Sequence, residues 1–167
     1  MNKPILFFDC GDTIIDEGTE IKNQDKVSVD AALIPGADEL IKTLYERGYK
    51  MSLVADGYVD TFKNLLGKYD LYDYFDYHCI SQNIGVCKPS EKMFHPVLNY
   101  YKISEENRKN VWMVGNNLER DVKGANALGL TTVWLDWAPR RSKTPKDELE
   151  KPDITIKTPL ELLEYLK

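Results

Sequence analysis

The chain has 167 residues, a formal net charge of −5, and 43% hydrophobic and 29% charged residues. This length and composition are typical of a globular protein with one substantial core, so we expect a single domain over residues 1–167. The acidic balance argues against nucleic acid or an anionic membrane surface as the main partner. The three cysteines lack the spacing of a metal site, no apolar run is long enough to span a membrane, and the first residues lack the pattern of a signal peptide. These features predict a cytoplasmic protein with reduced thiols.

Short apolar runs alternate along the chain with segments that have helical periodicity. The runs predict five strands, at residues 5–8, 51–55, 77–80, 111–114 and 132–135. Apolar residues at helical spacing predict helices at residues 36–48, 58–66, 90–98, 118–129 and 159–166, with Pro96 expected to kink or restart the third. Residues 14–35 are polar and contain several breakers, so we predict irregular structure there. The alternation is typical of an α/β fold in which helices cover both faces of a parallel sheet of about five strands.

Polar residues follow several of the predicted strands at the point where each strand ends. The first strand ends at Asp9, the second is followed by Asp56, and the fourth by Asn116, with Asp121 close behind. Lys88 lies in the loop that leads from the third strand towards the fourth. Because the carboxyl ends of parallel strands meet at one edge of a sheet, we expect these side chains to lie close together. A carboxylate in that position can act as a nucleophile, a metal ligand or both.

Each of these residues also has an ordinary structural interpretation. Asp9 could simply cap the turn that follows the strand, and Asp56 could favour the turn at Gly57. Lys88 could be a solvated loop residue, and Asp121 could interact only with the dipole of the helix that begins nearby. The occurrence of all these residues at one predicted sheet edge favours a functional site.

Four segments at these positions resemble the motifs of the haloacid dehalogenase-like (HAD) hydrolases, in the order that the family has them. They are FFDCGDT around Asp9, LVADG around Asp56, VCKP at Lys88, and VGNNLERDVKGANALGL with Asn116 and Asp121. The final PDITIKTPLELLEYL is similar to the family's usual ending, so the resemblance covers nearly the whole chain. It implies a Rossmann-like, HAD-like fold of three layers.

The resemblance implies a Mg²⁺-dependent phosphohydrolase in which Asp9 attacks phosphorus and forms an aspartyl-phosphate that water then hydrolyses. The implied substrates are phosphoric monoesters or acyl phosphates, whose negative charge would be neutralised by Mg²⁺ and Lys88. The implied Mg²⁺ ligands are oxygen atoms of Asp9, Gly11 (its backbone carbonyl), Asn116 and Asp121. The residues expected to contact the phosphorylated substrate are Cys10, Ala55, Asp56, Gly57 and Lys88.

Three positions depart from the family's motifs. Gly11 stands where most family phosphatases have an aspartate that protonates the leaving group, and Asp12, one residue further, should face the opposite side of the chain. Ala55 replaces a phosphoryl-binding serine or threonine, and Asn116 replaces a metal-binding aspartate. Because general acid–base catalysis is typically worth about 10²- to 10⁴-fold, these losses predict a slow phosphatase. Asp56 is a candidate substitute acid with a catalytic role, and the missing acid at Gly11 favours acyl or aryl phosphates, whose leaving groups need no proton.

The gaps between the motifs are too short to hold the cap domain that many family members carry. About 40 residues precede the second strand after the first motif, and about 30 separate Asp56 from Lys88. We therefore predict an open site that admits bulky substrates or is closed by a neighbouring subunit of an oligomer, with residues 16–30 on its rim. The basic loop 134–143 could grip an anionic substrate beside an exposed Trp137, or could be a solvated loop with Trp137 packed on the protein.

Two other functions remain open. The chain could be a catalytically weakened HAD-like module that binds a phosphate or a partner, because three motif residues are replaced at once. It could also be a HAD hydrolase that cleaves carbon–halogen or carbon–phosphorus bonds, since those enzymes also lack the second aspartate, although they depend on a cap. Turnover that depends on Asp9 distinguishes an enzyme from a binding module.

Overall fold

The computed structural model describes residues 3–167, and eight strands are formed in this part of the chain. They are β1 (Ile5–Phe8), β2 (Ile21–Lys22), β3 (Ser28–Asp30), β4 (Met51–Ala55), β5 (Tyr77–Ile80), β6 (Val111–Gly115), β7 (Thr131–Leu135) and β8 (Ile154–Ile156). Six of them form one parallel sheet in the order β5-β4-β1-β6-β7-β8, and β2 and β3 form a separate antiparallel hairpin.

Helices cover both faces of the large sheet. They are α1 (Ala37–Glu46), α2 (Val59–Lys68), α3 (Ser81–Ile84), α4 (His95–Tyr100), α5 (Lys123–Ala127) and α6 (Leu162–Tyr165). Side chains that alternate along β1 divide the core, because Leu6 and Phe8 pack with residues of α1, α2 and α6, whereas Phe7 packs with residues of α4 and α5. This three-layer arrangement confirms the predicted α/β fold.

The sheet has one strand more than the sequence pattern indicates. All five predicted strands form, and β8 joins β7 at the edge of the sheet, with Val133 opposite Ile154 and Leu135 opposite Ile156. The expectation of about five strands is therefore corrected to six. A strand of three residues is too short to show a periodicity of its own, so its pairing with β7 is what defines it.

The prediction of irregular structure over residues 14–35 is also wrong in part. The segment contains the hairpin of β2 and β3, which packs on α2 through a hydrogen bond from the backbone N–H of Ser28 to Thr61 Oγ1 (3.1 Å). Ile14, Ile15 and Ile34 are fully buried in the core. These apolar residues are dispersed among polar ones, and both strands are too short for their pattern to be read from the sequence.

The predicted helix over residues 90–98 is divided at Phe94 and restarts just before Pro96, in agreement with the expected restart. A 3-10 turn at Glu91–Met93 begins with Ser90, whose Oγ accepts a hydrogen bond from the Lys92 N–H, and α4 starts again at His95 with Pro96 in its first turn. The predicted helix over residues 118–129 likewise begins as a π-helical turn at Leu118–Val122 before it continues as α5.

The two interior positions at which a cap could be inserted hold small elements in this chain. Only a 3-10 turn (Glu17–Thr19), the hairpin and α1 lie between β1 and β4, and only α2 and one 3-10 turn lie between β4 and β5. Neither position holds a separate folded unit, and the carboxyl ends of β1, β4 and β6 therefore border an open edge. None of the helices in residues 3–167 combines the length and the apolar composition that crossing a membrane requires.

Candidate active site

The sheet order brings the polar strand ends together. β1 lies between β4 and β6, and the backbone N–H of Asp9 continues the pairing by donating to the carbonyl oxygen of Val114 (3.0 Å). Lys88 reaches into this edge, where its Nζ donates to Asp9 Oδ1 (2.9 Å) and to the carbonyl oxygen of Val54 (2.7 Å). The same Nζ lies 2.7 Å from Asp121 Oδ1. The predicted clustering of Asp9, Lys88 and Asp121 is thus what the structure contains.

Lys88 is a buried cation among carboxylates. Its side chain is 1% exposed, and that of Asp121 is 2% exposed. Burial alone would lower the pKa of Lys88, but the nearby carboxylates of Asp121, Asp9 and Asp56 outweigh this effect and raise the pKa above its usual value. The ammonium group therefore stays charged and balances two acidic side chains in an enclosed position.

The pKa of Asp9 is higher than that of an ordinary aspartate. Burial raises its pKa to about 7, the neighbouring Asp121 carboxylate adds to the rise, and Lys88 opposes it. Its side chain still has 14% of its surface exposed, at the bottom of a cavity. A carboxylate that is poorly solvated and reachable from outside is suited to act as a nucleophile once a further cation is close to it.

Asp56 is held by two donors on its two carboxylate oxygens. The backbone N–H of Lys88 donates to Oδ1 (2.9 Å), and Arg120 Nη1 donates to Oδ2 (3.3 Å). These contacts fix the Lys88 loop against the end of β4. The geometry favours a positioning function for Asp56, and its use as a substitute acid stays a prediction.

Oxygen atoms suitable for a cation surround Asp9. One end of the Asn116 side-chain amide lies 3.0 Å from Asp9 Oδ2 and 3.1 Å from the carbonyl oxygen of Gly11. With the amide nitrogen at this end, Asn116 donates to both oxygens. A half-turn of the amide places its oxygen there instead, and three oxygen atoms then converge on one point.

The remaining predicted ligand, Asp121, is folded back under the end of β6. Its Oδ2 accepts a hydrogen bond from the Asn117 N–H (3.0 Å), and Gly115 leaves room for it, because a Cβ at that position would lie 2.6 Å from the Asp121 Cβ. Trp134 Nε1 donates to the carbonyl oxygen of Asn116 (3.0 Å) and fixes this turn from β7. Gly115 and Trp134 are supporting residues that the sequence analysis missed.

The described side chains that line the Asp9 cavity offer oxygen atoms and include no histidine or cysteine. Residues 3–167 contain no group of three histidine, cysteine, aspartate or glutamate side chains arranged to hold a metal ion. The site instead combines carboxylate, carbonyl and amide oxygens, and Mg²⁺ is typically held by one or two carboxylates with water completing its shell. The residues present are therefore compatible with the predicted ion.

Of the other predicted substrate-contacting residues, Cys10 and Ala55 are buried and Gly57 is half-buried. The Cys10 side chain is buried, and burial together with the charge of Asp9 raises the pKa of its thiol well above the usual value. Ala55 is fully buried in the core and lines neither of the cavities at this edge. The Gly57 N–H donates to Ser81 Oγ (2.8 Å). A phosphoryl group would therefore meet mainly Lys88 and the turn after Asp9.

Asp12 lies in that turn with a left-handed backbone (φ 53°) and is completely buried. Arg140 binds its carboxylate with two N–H groups, Nε donating to Oδ2 at 2.9 Å and Nη2 donating to Oδ1. Asp12 Oδ1 also accepts a hydrogen bond from the backbone N–H of Glu17 (3.0 Å). The prediction that Asp12 faces away from the position of the missing acid agrees with these contacts.

The basic loop after β7 is bound to the protein itself. Arg140 contacts Asp12 and Asp16, and Arg141 Nη2 donates to Glu17 Oε2 (3.2 Å). Trp137 is half-buried and packs against the main core. The interpretation of this loop as a grip with an exposed tryptophan is thus not supported, and the ordinary alternative of a packed tryptophan is observed. Arg141, unlike Arg140 and Trp137, also lines the cavity above Asp9.

Two neighbouring cavities open at this edge of the sheet. The smaller, of about 120 Å³, is lined by Asp9, Gly11, Glu17, Asp56, Lys88, Asn116, Asn117, Arg120, Asp121 and Arg141. The larger, of about 210 Å³, lies beside it and is lined by Cys10, Gly11, Glu17, Glu20, Lys22, Lys26, Ser28, Asp56, Gly57, Tyr58, Thr61, Phe62 and Leu65. Residues of the predicted rim, 16–30, thus form much of the wall of the second cavity.

Glu17 lines both cavities and was not identified from the sequence. Burial raises the pKa of its carboxyl, the adjacent Asp12 carboxylate adds to the rise, and Arg141 opposes it. A Cβ added to Gly11 would overlap Glu17 Oε1 and would lie 2.8 Å from Glu17 Cδ. The Glu17 carboxyl therefore occupies the space that a side chain at position 11 would enter, a relation that no local sequence pattern indicates.

Comparisons with known proteins agree with this geometry. The family model for haloacid dehalogenase-like hydrolases matches residues 8–135. Phosphoserine phosphatase of Thermus thermophilus is 29% identical over 124 residues, which cover 74% of this chain and 47% of that protein. Glyceraldehyde 3-phosphate phosphatase of Pyrococcus furiosus is 30% identical over 135 residues, which cover 80% of this chain and 54% of that protein. The chain thus spans about half the length of these relatives.

A solved structure gives the same assignment of the fold. YfnB of Bacillus subtilis, bound to magnesium in its crystal, superposes with a TM-score of 0.77 at 20% identity, over 100% of both chains. At that level of identity the likeness concerns the fold. The match of the family model extends over well more than half of the residues, and the chain therefore belongs to the haloacid dehalogenase-like hydrolases.

Proposed function

We propose that this protein is a Mg²⁺-dependent phosphohydrolase that forms an aspartyl-phosphate on Asp9. The observation that carries the proposal is the contact of Asp9 with the buried Lys88 cation, at the bottom of a cavity where oxygen donors surround the second carboxylate oxygen. The names of the relatives, which are phosphatases of small phosphorylated metabolites, support the same class of reaction.

The residues of the site have complementary functions in this proposal. Asp9 attacks phosphorus, and Lys88 holds the carboxylate in place and offsets the repulsion between it and the phosphate dianion. Asp9, the Gly11 carbonyl, Asn116 and Asp121 would hold Mg²⁺, which would supply further positive charge to offset that of the phosphate. Because Lys88 also pairs with Asp121, the ammonium group keeps this charged cluster together.

The two cavities suggest where the two parts of a substrate bind. A cavity of about 120 Å³ next to Asp9 has room for a phosphoryl group, and the adjoining 210 Å³ cavity has room for a small leaving group. Since both cavities open at the sheet edge, part of a larger phosphoric monoester or acyl phosphate could extend into solvent. We therefore propose a phosphorylated substrate whose size the cavities do not limit.

A second candidate function is a phosphate-binding module without turnover. It is favoured by the absence of a hydroxyl at Ala55, whose side chain is buried in the core, and by the neutral Asn116 next to Asp9. Both changes remove groups that would help to position and neutralise the phosphoryl group, and phosphoryl transfer depends on positioning and electrostatic stabilisation.

A phosphatase screen with Mg²⁺ distinguishes the two candidates. Wild-type protein, Asp9→Asn and the control Asp60→Asn, an exposed residue of α2, would be compared on alkyl, aryl and acyl phosphates. We expect Asp9→Asn to lose about 10³-fold or more in kcat/KM and Asp60→Asn to lose nothing. Binding of inorganic phosphate without Asp9-dependent turnover on any of these substrates would favour the binding module and refute the proposal.

A further inference from the structure

A phosphoric monoester of an alcohol is cleaved slowly unless the leaving oxygen receives a proton, because an alkoxide is a poor leaving group. We infer that Glu17 gives this proton to the leaving oxygen and later takes one from the water that attacks the aspartyl-phosphate. The inference rests on the proposed phosphohydrolase function of Asp9. It assigns a catalytic function to a residue outside the four sequence motifs.

Glu17 lies next to Gly11. The Glu17 carboxyl group fills the space that a side chain at position 11 would enter, with Cγ and Cδ each 2.8 Å from the position of a Cβ on Gly11. A carboxyl group thus lies next to position 11, which carries no side chain of its own, and Glu17 and Asp9 line the same cavity.

Glu17 is also located between the two cavities. Glu17 lines the cavity that contains Asp9 and also the adjoining cavity under the β2–β3 hairpin. When a phosphoryl group is in the first cavity and its organic group is in the second, the oxygen that joins them lies at the border. A proton donor for that oxygen must be at the same border.

Three other carboxylates near Asp9 have partners on both oxygens, and Glu20, which has partners on one oxygen, lines only the second cavity. Asp12 is bound by Arg140, Asp56 by Arg120 and the Lys88 N–H, and Asp121 by Lys88 and the Asn117 N–H. Glu17 differs because Arg141 binds only Oε2. Within residues 3–167, Oε1 has no hydrogen-bond donor, and it is the oxygen that faces Gly11 and the cavities.

The turn that carries Glu17 is itself held firmly. Asp12 Oδ1 accepts the hydrogen bond of the Glu17 N–H (3.0 Å), and Asp16 Oδ1 accepts that of the Gly18 N–H (2.9 Å). Arg140 binds both of these aspartates. The order of Gly11 and Asp12 thereby has a physical explanation, because Asp12 positions the backbone of Glu17 while Gly11 leaves space for its side chain.

The two steps balance in atoms and charge. In the first, an Asp9 carboxylate oxygen forms a bond to phosphorus, the bond from phosphorus to the leaving oxygen breaks, and that oxygen takes the Glu17 proton to leave as an alcohol. In the second, a water oxygen bonds to phosphorus, its proton goes to Glu17, and the phosphorus–Asp9 bond breaks to release inorganic phosphate and the free carboxylate.

The test compares leaving groups. Glu17→Gln and the control Glu39→Gln, an exposed residue of α1, would be assayed with glycerol phosphate and with p-nitrophenyl phosphate. We expect Glu17→Gln to lose about 10²- to 10⁴-fold in kcat/KM on glycerol phosphate and far less on the aryl ester, whose leaving group needs no proton. On the aryl ester, Glu17→Gln should also release a burst of nitrophenol and accumulate phosphoprotein, because the second step lacks its base.

A rescue variant keeps the test independent of folding defects. Glu17→Gly should lose the alkyl activity, and the double variant Gly11→Asp with Glu17→Gly should regain part of it, since the new carboxyl group would occupy the vacated space. Equal losses on both esters in Glu17→Gln, or wild-type turnover of the aryl ester alone, would overturn the assignment of Glu17 and leave the function of Asp9 intact. Absence of Asp9-dependent turnover in wild-type protein would overturn the proposed function and, with it, this inference.

Discussion

The ion pair between Arg140 and Asp12 connects the loop after β7 to the turn after β1. The Asp12 side chain is 0% exposed, whereas that of Arg140 is 34% exposed. Arg140→Met keeps much of the aliphatic length of the side chain and removes the two N–H groups that bind the carboxylate. Within residues 3–167 the one remaining donor is the Glu17 N–H, which carries no charge and cannot neutralise the buried carboxylate.

The size of the effect follows from the burial of the two partners. Removing one partner of a fully buried ion pair costs about 3–5 kcal/mol of unfolding free energy, and surface pairs contribute only about 0–1 kcal/mol. Because Asp12 is buried and Arg140 is one-third exposed, we expect Arg140→Met to cost about 2–4 kcal/mol. For a domain of this size, each kcal/mol corresponds to a fall of about 2–4 °C in the midpoint temperature.

Urea unfolding, monitored by tryptophan fluorescence and circular dichroism, measures this loss. Arg141→Met is the matched control, since Arg141 is 42% exposed and pairs with the partly exposed Glu17, so its loss should stay below about 1 kcal/mol. Adding Asp12→Asn to Arg140→Met removes the unpaired charge and should recover part of the stability. If Arg140→Met costs no more than Arg141→Met, or if Asp12→Asn recovers nothing, the ion pair does not stabilise the turn as argued.

Two further predictions concern metal binding and pH. Excess Mg²⁺ should raise the midpoint temperature of unfolding relative to EDTA, because a ligand at 100 times its Kd stabilises the native state by about 2.7 kcal/mol. Asp121→Asn should reduce this rise. An equal rise in wild-type protein and in the variant would exclude Asp121 from the ion's site. His78 is half-buried and its ring stacks on Tyr72, and burial lowers its pKa from the ordinary value of 6.5. Because the unfolded state then binds more protons than the native state, the free energy of unfolding decreases as the pH falls through 6.5. Wild-type protein should therefore lose more unfolding free energy between about pH 7.5 and about pH 5.5 than His78→Gln, and equal losses would contradict the argument.

Much of the fold could be predicted because buried strands and amphipathic helices leave patterns in a few consecutive residues. The run at residues 5–8 predicts β1 with its correct ends, and the spacing of apolar residues after Gly36 predicts α1. β8 and the β2–β3 hairpin were missed, since strands of two or three residues have no measurable period. Their formation depends on pairing with partners elsewhere in the chain.

The candidate site likewise contains a part that could be predicted from the sequence and a part that could not. The sequence by itself determined which side chains end the strands, and parallel strands must bring such ends to one edge, so the neighbourhood of Asp9, Lys88 and Asp121 followed from topology. Only the tertiary structure decided that Glu17 enters the space beside Gly11, and that Arg140 neutralises Asp12 from 128 residues away along the chain. Contacts of this kind depend on how loops pack in three dimensions, and local residue patterns carry no information about which distant side chain fills a given space.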